Sequence, residues 1–250
     1  MIGRELPPVQ TVIQTVPHCE ADLAHIDTLA TELAKRILDK DATFTQKGEA
    51  SREFDMKLRQ ATGIAKAPAV AQFVRMLVES GQPVLLTAWH RECYDIYRKQ
   101  LAGLRVWMYT GSESVKAKEE AKAAVLAGEV DVLIMSLRSG VGLDGLQGRL
   151  RIAVFGELDW SASVHRQVIG RLWRDGMGEW CQAYFLVSDA GSDPTLSRIV
   201  GLKSAQLSGI IDPENKNALD NQVQGDDGRV KQLAQDWLNR KRRQKEDEDE

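Results

Sequence analysis

The chain has 250 residues, of which 43% are hydrophobic and 28% are charged, with a formal net charge of −3 at pH 7. These values are typical of a soluble globular protein with room for one domain and appendages. The three cysteines, Cys19, Cys93 and Cys181, show no paired spacing, which argues against a disulfide framework or a zinc site and for a reducing compartment. No apolar run is long enough to span a membrane, so we expect a cytoplasmic protein without a membrane partner.

The first predicted elements are a strand and helices. Residues 6–16 alternate apolar and polar positions after a Pro-Pro pair, which predicts an edge strand. Residues 20–38 carry apolar side chains at helical spacing. Residues 39–52 are polar and lack periodicity, so we expect a loop or mobile insert there. A short helix is predicted over 54–62, followed by a break at Gly63.

From residue 68 onwards, short apolar strands alternate with helices. Strands are predicted at 83–89, 105–109, 130–136, 151–155 and 180–187, and helices at 69–79, 93–102, 115–126, 164–173 and 194–207. The alternation predicts an open α/β fold with a parallel sheet covered by helices on both faces. Ligands of such sheets bind at the carboxyl ends of the strands.

The C-terminal part has a different composition. Beyond residue 211 the sequence is rich in Asn, Asp, Gln and Gly, which indicates a linker, and residues 230–240 have the pattern of a short amphipathic helix. The final basic-then-acidic run predicts a disordered, flexible charged tail. We therefore expect an N-terminal strand and helical segment over 1–66, a lobe over 67–211, and a linker, short helix and tail over 212–250.

The helix predicted over 164–173 carries the most informative pattern. Gln167, Arg171 and Arg174 are four and three residues apart, so they project from one helix face. Two adjacent guanidinium groups are unfavourable unless anions lie opposite them, and their planar forks of donors suit phosphate oxygens. We interpret the pair as arginine fingers for the γ-phosphate of a nucleotide. An exposed basic helix face is the alternative that this stretch alone leaves open.

A glycine-rich loop follows the strand predicted at 130–136. Residues 136–146 read S-L-R-S-G-V-G-L-D-G-L, and glycines allow backbone N–H groups to approach phosphates or a sugar. Asp144 is a carboxylate at the ligand edge of the sheet, placed to accept a hydrogen bond from a ribose or to steady an arginine. An ordinary strand–helix turn, with Asp144 as a helix N-cap, is the alternative.

These stretches, in this order, resemble the C-terminal, second RecA-like ATPase lobe of superfamily 2 helicases and translocases, most closely the Swi/Snf type. The resemblance runs along roughly residues 4–205, and Q-V-I-G-R-L-W-R-D-G, which is similar to motif VI, is its most specific part. S-L-R-S-G-V-G-L-D resembles motif V. The sequence departs from the Swi/Snf pattern in four places. Leu137 replaces a threonine, Trp173 replaces a histidine, and W-S-A at 160–162 replaces Trp-Asn-Pro. Asp144 replaces an asparagine, as in the DEAD-box version of the motif.

The resemblance implies roles for individual residues. Arg174 would be the transition-state finger. Arg171 would neutralise the γ-phosphate or pair with an acidic residue of the other lobe, and Gln167 would orient this pair or a water. The residues on the nucleotide side of the lobe would be Gly142, Asp144 and Gly170. The residues along the nucleic-acid side, which would contact backbone phosphates, are Thr87, Gly111, Ser136 and Arg138.

The remaining histidines and tryptophans receive structural interpretations. His90 and His165 have no ligand-type neighbours in the sequence, so we expect surface or packing residues. Three tryptophans, Trp89, Trp107 and Trp180, are expected in the core. Trp160 and Trp173 flank the predicted site and are the two that we consider for contact with a partner.

Two motifs of a complete ATPase do not occur in the sequence, namely Gly-x-x-x-x-Gly-Lys-Ser/Thr and an Asp-Glu-x-His-type magnesium motif. Because these motifs cradle the phosphates and hold Mg²⁺, we expect ATP and Mg²⁺ to be bound only with a separate first-lobe polypeptide. The chain alone would be inactive, and nucleic acid, with DNA favoured, would be a second partner. A non-catalytic DNA- or protein-binding module and a fragment of a longer gene product are the alternatives.

Overall fold

A parallel β-sheet forms the centre of the protein in a computed structural model that describes residues 9–139, 143–178, 180–202 and 226–248. Within these residues the sheet has six strands in the order β1-β6-β5-β2-β4-β3, and every neighbouring pair is parallel. The strands are β1 (Val9–Thr15), β2 (Val84–Ala88), β3 (Val106–Tyr109), β4 (Val132–Ser136), β5 (Ile152–Phe155) and β6 (Cys181–Val187). The predicted α/β fold and the edge position of the first strand are confirmed.

Helices cover both faces of the sheet. They are α1 (Glu20–Ala24), α2 (Asp27–Leu38), α3 (Phe44–Glu79), α4 (Arg91–Gln100), α5 (Val115–Ala127), α6 (Ala162–Leu172), α7 (Asp193–Val200) and α8 (Asp226–Glu248), with a 3₁₀ turn at Leu146–Gly148. Within the described ranges, no helix combines the length and apolar character needed to cross a membrane.

The core is divided by the sheet into two hydrophobic clusters. Successive strand residues point to opposite faces, so Leu85 and Leu133 belong to one cluster while Leu86 and Ile134 belong to the other. The second cluster is completed by α4 and the C-terminal half of α3, and the first by the N-terminal half of α3 and the other helices. Because both faces of β2, β4 and β5 are buried, these strands are nearly continuous apolar runs, which explains why the sequence predicted them well. The edge strand β1 alternates instead.

The longest helix, α3, differs most from the prediction. It begins at a capping box, in which Thr43 Oγ1 accepts from the backbone N–H of Gln46 and the Gln46 side chain accepts from the backbone N–H of Thr43 at 2.9 Å. It then continues through the expected loop, through the expected break at Gly63 and past residue 66, where we expected a boundary. A Cβ at Gly63 would lie 2.7 Å from Glu157 Oε1, so this glycine permits close packing of α3 rather than a break.

A buried ion pair holds the middle of α3 against the sheet. Lys66 is fully buried, and its Nζ lies 2.6 Å from Asp193 Oδ2 and 2.6 Å from the carbonyl oxygen of Leu186. The same carboxylate oxygen accepts from the backbone N–H of Ser188 at 2.8 Å. The charge of Lys66 is therefore matched by a carboxylate that is itself hydrogen-bonded, as a buried ion pair requires.

Two further predictions about helices were wrong. The helix expected over 20–38 is two helices, α1 and α2, separated by a turn at residues 25–26. The tail that we expected to be disordered is helical as far as Glu248. Apolar residues of α8 pack on the rest of the protein, which explains its order; they are Leu233, Ala234 and Trp237. The predicted linker runs from residue 212 to about Gly228; residues 212–225 lie outside the described residues, and residues 226–228 belong to α8.

Candidate functional site

Helix α6 follows β5 and presents the predicted arginine pair at the carboxyl edge of the sheet. Its buried face consists of Ala162, His165, Val168, Ile169 and Leu172, which recur at helical spacing. Gln167 is exposed on another face of the helix, and Arg171 and Arg174 are partly exposed at its end. The apolar stripe therefore fixes the rotation of α6 and with it the direction of Gln167 and Arg171. Arg174 lies beyond the end of the helix, so the prediction that all three residues project from one helix face is wrong.

Arg171 is held by backbone oxygens of the glycine-rich loop. Its Nη2 donates to the carbonyl of Ser139 at 2.7 Å, and its Nη1 donates to the carbonyl of Leu143 at 3.4 Å. Burial, followed by the positive charge of Arg174, lowers the pKa of Arg171. Two carbonyl dipoles orient this guanidinium without cancelling its charge, so the position still favours an anion.

Arg174 lies just beyond the end of α6. Its Nε donates to the carbonyl of Gly170 at 2.9 Å, and its Nη1 lies 2.7 Å from Asp144 Oδ1. The side chains of Arg174 and Asp144 are 42% and 76% exposed, so this ion pair is in contact with solvent. The structure thus places Asp144 and Gly170 beside the arginine pair, and Gly170 has open space where a Cβ would be. Gly142 lies outside the described residues.

The four residues expected on the nucleic-acid side have different surroundings. Gly111 is exposed after β3, Ser136 is partly exposed at the end of β4, and Arg138 is exposed two residues later. Thr87, by contrast, is fully buried in β2, and its hydroxyl donates to the carbonyl of Val154 at 3.3 Å. The prediction that Thr87 contacts a phosphate is therefore wrong for this conformation, because its hydroxyl is enclosed within the sheet.

Arg138 lies in the loop after β4 and contacts one residue in the loop after β5 and one in the loop after β2. Its Nε lies 2.9 Å from Asp159 Oδ2, and its guanidinium carbon lies 5.3 Å from the ring centroid of Trp89. Burial raises the pKa of Asp159, but the hydrogen bonds from Arg138 and from the backbone of Ser161 outweigh burial, so this pKa lies below its ordinary value. Trp89 is 42% exposed, which corrects the expectation that it belongs to the core.

Comparison with known proteins begins with sequences. No family model matches the chain. The DNA repair and recombination protein RAD54-like from Mus musculus is 26% identical over 140 residues, which cover 54% of this chain and 18% of that protein. Its counterpart from Drosophila virilis is 27% identical over 138 residues, which cover 53% and 17%. The chain thus spans less than a fifth of the length of these curated relatives.

Solved structures extend the similarity to most of the chain. The C-terminal part of the Fun30 ATPase domain is similar with a TM-score of 0.65 and 13% identity, covering 94% of this chain and 99% of that one. The Sulfolobus solfataricus SWI2/SNF2 ATPase core in complex with dsDNA gives a TM-score of 0.65 and 14% identity, covering 80% and 45%. The chain has the fold of a Swi2/Snf2-type C-terminal ATPase lobe. The predicted resemblance is confirmed.

One buried residue of this lobe was not singled out as a site residue from the sequence. Glu157, after β5, accepts hydrogen bonds from the backbone N–H groups of Trp89 and His90 at 2.7 and 3.0 Å. The other carboxylate oxygen of Glu157, Oε1, lies 2.5 Å from His90 Nδ1. Burial raises the pKa of Glu157, yet the bonds from His90 and from the two backbone groups outweigh burial, so the carboxylate has a lowered pKa. Glu157 therefore fixes the loop that carries Trp89.

The two histidines of the lobe have specific partners. His90, which we expected to be a surface or packing residue, bonds to Glu157 as described above. His165 is fully buried, and its Nε2 accepts from the backbone N–H of Asp159 at 3.0 Å. Its ring also meets Phe155 and Phe185 edge-on, which agrees with a packing role. Among the described residues, no group of three His, Cys, Asp or Glu is arranged to hold a metal ion.

Proposed function

We propose that this chain is the second lobe of a nucleic-acid-dependent ATPase and completes the catalytic site of a first lobe on another polypeptide. The observation that carries the proposal is the placement of Arg171 and Arg174 together at the carboxyl edge of the sheet, with the exposed carboxylate of Asp144 beside them. Two neighbouring guanidinium groups at a ligand-binding edge suit the outer phosphate of a nucleotide.

The two arginine side chains are held by different partners. Arg171 is fixed by two carbonyls, so it offers a preorganised positive charge that needs little movement. Arg174 is held by an exposed ion pair with Asp144, and exposed pairs are worth only about 0–1 kcal/mol. A phosphate oxygen can therefore replace the Asp144 carboxylate on Arg174 at little cost. Gln167, on the same helix, would orient this pair.

In this proposal the other lobe binds most of the nucleotide. The residues here fit the outer phosphate, and Asp144 and Gly170 lie within reach of the same ligand, but the sequence has no phosphate-binding loop. The first lobe would supply that loop and the ligands of Mg²⁺, the ion that neutralises phosphate charge when bound. This chain would contribute the two arginines, which stabilise the charge that develops on the transferred phosphoryl group.

The nucleic-acid partner would contact the loops after β3 and β4. Gly111, Ser136 and Arg138 offer a backbone N–H, a hydroxyl and a guanidinium, the groups that contact phosphate without reading sequence. One structurally similar protein was solved with dsDNA, and the curated relatives are named for DNA repair and recombination. We therefore propose DNA as the polymer, with affinity that falls steeply as salt rises.

The test is ATP hydrolysis by the chain alone and in a stable complex with a polypeptide that carries a Walker A motif, each with and without duplex DNA. We expect no turnover by the chain alone and DNA-stimulated turnover by the complex. Arg174→Ala should reduce turnover about a thousandfold, since arginine fingers contribute roughly 10³–10⁵ in rate. Arg36→Ala, which removes an exposed arginine from α2, is the matched control and should keep full activity.

A second candidate function is a DNA- or protein-binding module without catalysis. The specific observation in its favour is Leu137, which is buried where the related motif has a hydroxyl that contacts phosphate. A stable complex that binds DNA but stays inactive would support this second function. Turnover by the chain alone would contradict both.

A further inference from the structure

A groove lies beside the predicted nucleic-acid face and shares Arg138 with it, but most of its lining comes from outside the motifs described above. The N-terminal half of α3, the loops after β2, β4 and β5, and the start of α8 enclose a cavity of about 460 Å³. We call it the α3 groove and define it by six of its lining residues, Phe44, Arg52, Trp89, Arg138, Trp160 and Arg229. Its volume lies within the range of roughly 300–1,000 Å³ that is usual for small-molecule pockets.

Two aromatic residues of the α3 groove lie on anchored backbone and leave much of their side-chain surface exposed. Phe44 is 85% exposed although it is the first residue of α3, whose start is fixed by the capping box at Thr43. Trp89 is 42% exposed although the loop behind it is anchored by Glu157. Exposed aromatic rings on fixed backbone keep apolar surface in water, which is unfavourable unless a ligand covers it.

The charged residues of the groove favour an anion. Its lining contains four arginines, Arg52, Arg59, Arg138 and Arg229, and two aspartates, Asp55 and Asp159. Both aspartates already have partners within the protein. Asp55 accepts from Trp160 Nε1 at 2.8 Å and lies 3.6 Å from Arg59, and Asp159 pairs with Arg138. The excess of positive charge, together with flat apolar surfaces, is the combination that binds phosphates and bases.

We propose that the α3 groove binds an unpaired nucleotide of a DNA strand, with the base against Trp89 or Phe44 and the phosphate near Arg52 and Arg138. The proposal rests on the nucleic-acid face of the proposed function, because Arg138 belongs to both surfaces. Bases within a duplex are stacked on each other and present no free face to an aromatic ring. Only an unpaired base can use these rings, so the groove would distinguish a duplex with a single-stranded extension or gap from continuous duplex.

The experiment compares two probes, a blunt duplex and the same duplex with an oligo(dT) extension that contains one 2-aminopurine. We expect the full chain to bind the extended duplex more tightly and to quench the 2-aminopurine. Trp89→Ala and Phe44→Ala should each weaken binding of the extended duplex about fivefold or more, as base–aromatic contacts usually do. Arg52→Gln should weaken it about threefold and reduce its salt dependence. Affinity for the blunt duplex should stay unchanged in all three variants.

Two matched controls lie far from the α3 groove. Met76→Ala removes an exposed apolar side chain from the other half of α3, and Arg98→Gln removes an exposed arginine from α4. Neither should change either affinity. Because Phe44 is exposed, Phe44→Ala tests the groove even if Trp89→Ala disturbs the fold.

Three outcomes would overturn the inference. If the wild-type chain binds both probes equally and the groove variants do not alter binding, the groove takes no nucleotide, although the proposed function survives. If the chain binds neither probe, the nucleic-acid part of the proposed function fails as well. A concentration-dependent dimer that Phe44→Ala abolishes in sedimentation would assign the groove to a second copy of the chain.

Discussion

The buried imidazole of His165 makes the stability of the lobe depend on pH. Burial lowers the pKa of His165 from 6.5 to about 4, so the folded state keeps this ring neutral where the unfolded chain protonates it. The unfolded state therefore binds more protons between these two values, and stability falls as the pH decreases through this window. We expect the free energy of unfolding to drop by about 2 kcal/mol between about pH 7 and pH 5.

Urea denaturation at the two pH values measures this effect. His165→Gln, whose side-chain oxygen can still accept from Asp159, should be less stable overall but should lose most of the pH dependence. His25→Gln, which changes an exposed histidine, should keep it. An unchanged pH dependence in His165→Gln would show that other groups cause it.

At the scale of an element, α3 contains two glycines in opposite situations. Alanine is a better helix former than glycine by about 1 kcal/mol, so Gly48→Ala, whose Cβ would meet only Arg52 Nη1 at 3.7 Å, should stabilise the protein by roughly 0.5–1 kcal/mol. Gly63→Ala would place its Cβ 2.7 Å from Glu157 Oε1 and 2.9 Å from Cys93 Sγ. We expect it to destabilise the protein by about 1–3 kcal/mol, as overpacking does.

Thermal or urea unfolding of the two variants side by side checks this prediction. Both are glycine-to-alanine substitutions in α3, so both gain the same intrinsic helix propensity and differ only in what surrounds the added Cβ. If both variants were stabilised equally, Glu157 would have moved away from α3. The loop that carries Trp89 should respond as well, because Glu157 anchors it, so Gly63→Ala should also alter the fluorescence of Trp89.

The same helix shows why the sequence predicted some elements and not others. The central strands are buried on both faces and appear as apolar runs, β1 alternates apolar and polar residues, and α6 has one buried stripe, so these elements were predicted close to their bounds. Helix α3 buries different faces along its length, first against α2 and α8 and then against α4 and the sheet. No single hydrophobic period therefore describes the sequence of α3. In the sequence, Gly63 looks like a helix break and Lys66 like a surface residue, although both are buried.

The candidate site was predictable to a similar extent. Arg171, Arg174 and Asp144 were predicted because helical spacing and a glycine-rich loop are local patterns. The burial of Thr87 and the bond from His90 to Glu157 depend on which strands are neighbours in the sheet. That order, β5-β2-β4, is not a local property of the sequence. The exposure of Trp89 likewise depends on α3 ending its contact with the sheet nearby.

At the scale of the whole molecule, α8 connects the C-terminal residues to the helices near the N-terminus. Trp237 is buried, and its Nε1 lies 3.2 Å from Thr31 Oγ1 of α2. Lys241 pairs with Asp27 one turn further along. Trp237→Ala should destabilise the protein by about 3–5 kcal/mol, the usual cost of truncating a large buried side chain.

Equilibrium unfolding in urea measures this cost, and Gln235→Ala on the exposed side of α8 is the matched control, expected within about 0.5 kcal/mol of the wild type. Equal effects of the two substitutions would mean that α8 is not docked in solution. If the unfolding curve of the wild type has a separate transition at low urea and Trp237→Ala removes only that transition, α8 unfolds independently of the sheet.

The position of β1 has a consequence for how the protein is made. In the described sheet β1 lies at the edge and pairs only with β6, from Val9 opposite Cys181 to Thr15 opposite Val187. On a ribosome, β1 emerges before the other five strands of the described sheet but has no partner until Val187 has been added, roughly ten seconds or more later at usual rates of synthesis. During that interval its backbone is an open template for association with other nascent chains. The glutamines and threonines at positions 10, 11, 14 and 15 lower the hydrophobicity of this template.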